Sequence, residues 1–265
     1  MSETPLPLPH RTFRAVRVGV HLLGGIATTT VVFPVVGAQQ RRALVRRWSR
    51  KLLHLLRVEA RIHGALDAHE GNLLIVANHV SWLDIFVLNA HRPARFVAKS
   101  EIAGWPVAGR LIRGAGTIFV DRDRRHDTRR VNHHAAQSLA AGEVVAVFPE
   151  GTTTDGATLL KFHASLLQPI VEAQGHVQPI AIRYRDAAGA HSTVPAYVGD
   201  ESFAQSFWRV CGARRLVVDV HAAPVLAARD ANRRDLARAA EEAIRTALGL
   251  SSAGTAPGRS GGPGA

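Results

Sequence analysis

The sequence predicts an α/β fold: a mostly parallel central sheet flanked by helices, preceded by an N-terminal membrane-docking helical pair. Short apolar runs alternate with helical stretches from Val58 onward, which is typical of parallel strands joined by helices. Before Val58, a long apolar stretch is followed by an arginine-rich one. With 265 residues and ordinary apolar content, the chain suits one sizeable domain, and its composition excludes a disordered or polytopic membrane protein.

The N-terminal region is expected to begin with a flexible arm at residues 1–10, which are rich in proline. Residues 11–57 are expected to form the membrane-associating helices. Val18 to Gly37 is mostly apolar and about long enough to cross a bilayer. Two adjacent glycines and Pro34 leave a kinked or re-entrant helix open beside a straight span. A cleaved signal peptide is not expected, because the basic run follows at once without a convincing cleavage site.

The second N-terminal helix is predicted at Gln39 to Arg57, where apolar and basic residues are interleaved at helical spacing. The apolar positions are Leu44, Trp48, Leu52, Leu55 and Leu56, and the basic ones are Arg41, Arg42, Arg46, Arg47, Arg50 and Lys51. An apolar stripe with a tryptophan and an arginine-rich flank is typical of a helix that lies in a membrane interface. The alternative is an ordinary surface helix packed on the domain.

Residues 58–250 are expected to form the α/β domain. Strands are predicted at 58–63, 72–78, 95–99, 116–121, 143–149, 177–184 and 216–222. Helices are predicted at 82–90, 106–113, 127–141, 164–173 and 233–248. Residues 251–265 are rich in Gly, Ser and Pro and lack large apolar residues, so a disordered tail is expected there.

The chain is strongly basic, with a formal net charge of +12, which makes a polyanion an expected neighbour. Nucleic acid and anionic lipid are the two candidates; the sequence lacks a recognisable nucleic-acid motif, which argues against the first. The single cysteine, Cys211, excludes an internal disulfide and a CxxC-type zinc site, and it is interpreted as a small residue near a strand start. His133 and His134 are interpreted as surface residues of a helix rather than metal ligands.

The strongest candidate for a catalytic site is the segment from Asn78 to Asp84, which directly follows an apolar strand. Sites of α/β folds lie beyond the carboxyl ends of parallel strands. Asp84, in the first turn of the next helix, could bind His79 Nδ1–H, fix the tautomer and leave Nε2 free to accept a proton. The alternative is a capping box that Asp84 forms with Ser81.

Two more polar segments follow strands. Arg122, at the end of the strand predicted at 116–121, is suited to a phosphate because guanidinium offers donors in a fixed fork; a solvated charged loop is the alternative. Glu150, Gly151 and Thr152 follow Pro149 and bring a carboxylate, backbone N–H groups and hydroxyls to the same sheet edge. A plain Pro-Gly turn is the alternative there.

These segments resemble four ordered blocks of the glycerolipid acyltransferase family, whose best-known members are 1-acyl-glycerol-3-phosphate acyltransferases. The blocks are Asn-His-x4-Asp, a Gly-x-x-Phe-x-x-Arg strand end, Phe-Pro-Glu-Gly-Thr, and a Val-x-Pro-Ile/Val strand. They occur here at 78–84, 116–122, 148–152 and 177–180. One such block is weak support for the family, whereas four in order are strong support.

The resemblance implies a mechanism and its residues. It implies His79 as general base, Asp84 as its partner, and Arg122 with Glu150 and Gly151 in acceptor binding. Asn78, Thr152 and Lys161 are added as substrate contacts. Many phosphate-accepting members carry Arg after Glu-Gly-Thr, whereas this chain has Thr153. Either Arg122 or Lys161 compensates for that cation, or the acceptor is another lysolipid such as a lyso-ornithine lipid.

The expected reaction moves a fatty acyl group from acyl-CoA or acyl-carrier protein to a lysophospholipid hydroxyl. The expected acceptor is 1-acyl-glycerol-3-phosphate, and the product is phosphatidic acid. Neither a cofactor nor a metal is expected. The expected location is the cytoplasmic face of the inner membrane, on anionic lipid. A lipid-ester hydrolase is the first rival, although the chain has no Gly-x-Ser-x-Gly elbow. A non-catalytic basic protein binding membranes or nucleic acid is the second.

Overall fold

The computed structural model describes residues 4–66, 71–99, 104, 108–114, 116–120 and 125–250. The tail predicted at 251–265 lies outside the described residues, as do the first three residues of the predicted arm. The order of helices and strands below therefore refers to the described ranges.

The N-terminal region is a pair of helices joined by an irregular segment. Helix α1 spans Leu8–Ala27, a π-helical turn follows at Thr28–Val32, and a short 3₁₀ turn at Phe33–Val35 contains Pro34. Helix α2 spans Ala38–Leu55. The π turn and the proline interrupt the regular hydrogen bonding of an α-helix, so the apolar stretch is not one uniform α-helix.

The flexible arm predicted over residues 1–10 is wrong at its C-terminal end. Helix α1 begins at Leu8, with a proline in its first turn, where a missing N–H is harmless. Leu6 N–H donates to Gly212 O at 2.8 Å, which ties the preceding residues to the domain. The prolines that suggested a loose segment therefore start a helix.

The two N-terminal helices differ in how much of their apolar surface is buried. The apolar stripe of α2 is packed inside the protein: Leu52, Leu55 and Leu56 are buried, mainly against α3 (Leu83–His91). This burial favours packing on the domain for these three residues, whereas Leu44 and Trp48 are half-buried. Contact of α2 with a membrane interface stays a prediction. An exposed apolar face lies on α1, where its residues recur three to five positions apart from Leu8 to Leu23, and it continues on the turns after it. These residues are Leu8, Phe13, Val16, Val20, Leu23, Val31 and Val35.

A single sheet forms the centre of the domain. Its strands are β1 Val58–His63, β2 Leu73–Ala77, β3 Arg95–Lys99, β4 Ile118–Val120, β5 Val144–Val147, β6 His176–Arg185, β7 Leu216–Ala222 and β8 Leu226–Ala227. Their order is β1-β7-β6-β2-β5-β3-β4, with β8 beside β6. Only the β6–β7 and β6–β8 pairs are antiparallel. The predicted α/β fold with a mostly parallel sheet is confirmed.

Helices cover both faces of the sheet. They are α3, α4 Ala108–Gly114, α5 Arg125–Ala140, α6 Gln168–Glu172, α7 Phe203–Gly212 and α8 Arg233–Ala247, with a 3₁₀ turn at Ala164–Leu167. One core lies under α1, α2, α3 and α7, and a second under α5, α6 and α8. All five residues of β2 are buried, because the central strand is covered on both faces.

The sequence pattern failed to predict α7 and β8. A capping box that could have revealed α7 is present, since Ser202 Oγ accepts from Gln205 N–H and the Gln205 side chain accepts from Ser202 N–H. Cys211 lies in the last turn of this helix and is fully buried. Burial raises the pKa of its thiol to about 11, so the thiolate that a nucleophile needs is scarce at neutral pH.

Candidate active site

The imidazole of His79 lies just past the carboxyl end of β2 and is held by Asp84. Its Nδ1 is 2.8 Å from Asp84 Oδ2. The side chain of His79 is 20% exposed, whereas that of Asp84 is fully buried. With the proton on Nδ1 donated to the carboxylate, Nε2 carries the lone pair and can accept a proton from a bound group.

Four donors converge on the carboxylate of Asp84. Oδ2 accepts from Val80 N–H at 2.8 Å and from Ser81 N–H at 2.9 Å as well as from His79. Oδ1 accepts from the Tyr184 hydroxyl at 2.7 Å. Asp84 therefore binds the backbone just before α3 and orients His79 at once, because one carboxylate offers about four lone-pair sites. Of the capping box only the bond from Ser81 N–H to Asp84 is present, since Ser81 Oγ accepts from Leu83 N–H instead.

Tyr184 is a site residue that the sequence analysis missed. It lies on β6, where it would be counted as a core aromatic, and it is 1% exposed. Burial, followed by the charge of Asp84 and the hydrogen bond to it, raises the pKa of the phenol well above its ordinary value. The phenol therefore stays protonated and donates to Asp84 at neutral pH.

Glu150 holds the backbone around His79 rather than facing solvent. Oε1 accepts from His79 N–H at 2.7 Å, and Oε2 accepts from Leu160 N–H at 2.9 Å. The residue is 4% exposed, and burial raises its pKa although both backbone hydrogen bonds oppose that shift. The two oxygens of this carboxylate fasten the turn at His79 to the 151–160 loop, and the predicted substrate contact of Glu150 stays a prediction.

Asn78 also has a structural position. It is fully buried, its side-chain N–H donates to Ile182 O at 3.0 Å, and its Oδ1 accepts from Ile182 N–H at 2.7 Å. These bonds continue the β2–β6 pairing one residue beyond the last ladder pair, Ala77 with Ile180. The amide thus fixes the end of β2, and the predicted substrate contact of Asn78 stays a prediction.

The loop after Glu150 contains the remaining predicted contacts. Gly151 has a φ of 77°, which a glycine adopts without strain. Thr152 and Lys161 are exposed. The Thr153 hydroxyl, at the position where many phosphate-accepting members carry Arg, donates to Tyr197 O. Thr154 N–H donates to His79 O at 2.8 Å, so this loop and the catalytic turn are fastened to each other.

Arg122, the predicted phosphate ligand, lies outside the described residues together with Asp121, Asp123 and Arg124. The strand before it is present as β4 and ends at Val120. Its predicted contact with the acceptor stays a prediction.

Aromatic rings connect the imidazole to an apolar cleft. The His79 ring stacks on Phe148 with centroids 3.9 Å apart, and Phe148 stacks on Phe96 at 5.8 Å. Phe96 lines a cleft between the N-terminal helices and α3. Other lining residues are Gly25, Phe33, Leu44, Trp48, Ile85, Phe86 and Ile112. The site thus combines a partly exposed base with an adjoining apolar surface, which suits proton transfer next to an apolar chain.

Comparisons with known proteins agree with this geometry. Residues 59–183 match the protein family described as Acyltransferase. The chain is 35% identical over 211 residues to a 1-acyl-sn-glycerol-3-phosphate acyltransferase of Neisseria meningitidis, covering 79% of this chain and 82% of that protein. It is 38% identical over 208 residues to a lyso-ornithine lipid O-acyltransferase of Pseudomonas aeruginosa, covering 78% and 79%.

A solved structure has the same fold. The crystal structure of a 1-acyl-sn-glycerophosphate acyltransferase from Thermotoga maritima superposes with a TM-score of 0.66, covering 90% of this chain and 96% of that one. Its sequence identity is 18%, so the likeness concerns the fold.

Proposed function

The chain belongs to the acyltransferase family that includes the 1-acyl-sn-glycerol-3-phosphate and lyso-ornithine lipid acyltransferases, and from this premise we propose that it converts 1-acyl-glycerol-3-phosphate to phosphatidic acid. The acyl donor in this proposal is acyl-CoA or acyl-carrier protein. The observation that carries it is the His79–Asp84 pair, whose carboxylate is fully buried and whose imidazole is partly exposed.

The proposed reaction is a direct transfer without an acyl-enzyme. His79 Nε2 removes the proton of the acceptor hydroxyl while its oxygen attacks the thioester carbonyl. The carbon–sulfur bond then breaks, and the thiolate takes the proton back from His79. Asp84 stabilises the imidazolium in between, and positioned base catalysis of this kind contributes about 10²–10⁴-fold.

The apolar cleft lined by Phe96 is the proposed place of the fatty acyl chain. The stack from Phe96 through Phe148 to His79 supports this, because only these two phenylalanine rings separate the cleft from the imidazole along that line. Apolar lining lets a hydrocarbon chain leave water, at roughly 0.8 kcal/mol per buried methylene.

A lyso-ornithine lipid is a second candidate acceptor. Thr153 supports it, because its hydroxyl donates to Tyr197 O and supplies no cation for a phosphate. An ornithine headgroup carries no phosphate and would not need that cation. A Thr153→Arg variant distinguishes the two acceptors. If phosphate binding lacks only this cation, the rate of the variant with 1-acyl-glycerol-3-phosphate should rise relative to its rate with lyso-ornithine lipid.

The decisive experiment gives the purified full chain labelled acyl-CoA or acyl-carrier protein with each lysolipid in turn, and identifies the product by mass. Phosphatidic acid should form with the parent chain and with a His134→Ala control, whose imidazole is exposed on α5. The His79→Ala variant should form none while keeping its circular dichroism. Full activity in His79→Ala would end the catalytic proposal, and free fatty acid without an acylated acceptor would favour a hydrolase.

The proposed location is the cytoplasmic leaflet, with α1 inserted into the membrane surface. Leu8–Val35 is long and apolar enough to cross a bilayer by length and composition. Phe13 and Val20 are 64% and 65% exposed, and exposed basic residues on α2 could meet anionic headgroups.

Liposome flotation tests this location. Phe13→Ser and Val20→Ser together should reduce binding to vesicles containing phosphatidylglycerol. A Val198→Ser control, which changes another exposed valine of the domain, should not. Equal binding of all three proteins would remove α1 as the membrane contact.

A further inference from the structure

A second cluster of histidine and carboxylate lies on the β1–β7 edge of the sheet. His63 ends β1 and pairs in register with His221 on the parallel neighbour β7. Their rings stack with centroids 4.4 Å apart and an interplanar angle of 12°. Asp219 lies two residues before His221, so its side chain points to the same face of the sheet. Parallel pairing therefore brings two imidazoles and one carboxylate together.

This cluster is separate from the active site. Tyr184 and Arg185 are consecutive residues of β6, so their side chains point to opposite faces of the sheet. The Tyr184 hydroxyl binds Asp84, whereas Arg185 Nε donates to Asp219 Oδ2. The two His–Asp pairs consequently lie on opposite faces, and the acyl-transfer mechanism makes no use of the second one.

From this geometry we propose that His63, Asp219 and His221 bind one divalent transition-metal ion of the zinc class. The ligand atoms of the three side chains all lie within 4.8 Å of one another. Tetrahedral zinc requires about 3.3 Å between ligand atoms, so the ion would draw the ligand atoms together by up to about 1.5 Å and turn the stacked rings toward itself. His63 has room for that adjustment because its side chain is 48% exposed.

The carboxylate is already oriented as a metal ligand would be. Asp219 Oδ1 lies 3.2 Å from His63 Nε2, on the histidine side, while Oδ2 is held by Arg185. One oxygen can bind the ion while the guanidinium keeps the other in place, an outer contact that typically fixes a ligating carboxylate. Two imidazoles and one carboxylate favour zinc-class ions over magnesium or calcium, which prefer oxygen ligands.

The site is open to solvent on one side. His63 and His221 line a surface cleft of about 610 Å³, to which α8 contributes Glu242. Three protein ligands beside an open cleft leave a fourth position for water or a small anion. A bound ion would also link the end of β1 to β7.

The test uses the full chain without a polyhistidine tag, stripped with a chelator and titrated calorimetrically with Zn²⁺. We expect one equivalent to bind, and the His63→Gln/His221→Gln variant to bind at least about 10-fold more weakly. The matched control is His133→Gln/His134→Gln, which removes another adjacent, exposed pair, on α5; it should bind as the parent does.

A single variant and a second measurement test the proposal even if the double variant folds poorly. The single variant His63→Gln changes an exposed side chain, and it should lose both the affinity and any zinc-dependent rise in Tm that the parent shows. Equal binding by parent and variants, loss of binding in the His133/His134 control, or equal affinity for Mg²⁺ would overturn the site. Acyl transfer is not measured, so the outcome is independent of the proposed function.

Discussion

The two His–Asp pairs of this chain use the same functional groups in different settings. His79 meets its carboxylate through Nδ1 at 2.8 Å, and that carboxylate is fully buried. His63 meets Asp219 through Nε2 at 3.2 Å, and the carboxylate is shared with Arg185. In the first pair every partner of Asp84 except the imidazole is a backbone N–H or a tyrosine hydroxyl, so among the described residues no arginine or lysine shares this carboxylate.

We propose that this difference separates a catalytic base from a set of ligand atoms. Asp84 is fully buried and accepts only from fixed donors and the imidazole, and the His79 ring stacks on Phe148. Asp219 already balances an arginine, and its histidine is half exposed. The first arrangement holds a proton acceptor in one orientation, whereas the second offers ligand atoms to an ion.

The largest effect is expected from Asp84→Asn. An amide cannot accept from all four donors, and its own N–H₂ would face donors, so His79 should lose its tautomer and orientation. We expect kcat/KM for acyl transfer to fall by about 10²–10⁴-fold. Steady-state kinetics would measure this, with Asp186→Asn in a surface turn as the control. Near-parent activity in Asp84→Asn would mean that the buried pair is no more catalytic than the other.

Tyr184→Phe should have an intermediate effect, because it removes one of the four donors and leaves a buried lone pair unpaired. The free energy of unfolding should fall by about 1–3 kcal/mol. We expect kcat/KM to fall on the order of 10-fold, with a changed pH–rate profile. Denaturant titration and kinetics would check it, and Tyr197→Phe changes the only other tyrosine as a control. An unchanged pH–rate profile would leave Tyr184 a merely structural residue.

Glu150→Gln should reveal a smaller, pH-dependent effect. Burial raises the pKa of Glu150 above 4.5, so its contribution to stability is full below that value and is lost as pH rises through the folded-state pKa. The parent should therefore lose stability relative to Glu150→Gln as the pH is raised from about 4.5 toward neutrality. The free energies of unfolding of the parent and of Glu150→Gln would be measured across this range. A difference that stays constant with pH would mean that the pKa of Glu150 is not raised.

The smallest effect is spectroscopic. In their neutral forms, His79 should carry its proton on Nδ1 and His63 on Nε2, because these atoms face the carboxylates. Selective ¹⁵N labelling of histidine, assigned with the His79→Ala and His63→Gln variants, would distinguish the two tautomers. The same tautomer at both positions would remove the contrast between the pairs.

Much of the fold was predictable because local patterns coincide with the tertiary structure. Fully apolar runs such as Leu73–Ala77 are central strands, and His79 and Asp84 are five positions apart, so that their contact needs only one turn of chain. Tyr184 was not predictable, since it reaches Asp84 across 100 residues and resembles any core aromatic. Glu150 was recognised as a site residue, but its partners, His79 N–H and Leu160 N–H, depend on how the loop folds back.

The sequence by itself determined the alternating strands and helices, the contact between His79 and Asp84, and the family, because these depend on short-range spacing of residue types. Only the tertiary structure decided which N-terminal helix shows its apolar face to the outside. Both helices are amphipathic, and a helix buries the stripe that finds a partner: α2 finds α3, and the outer face of α1 finds none among the described residues. The tertiary structure also decided the contact between His63 and His221. These residues are 158 positions apart and meet only because β1 pairs with β7.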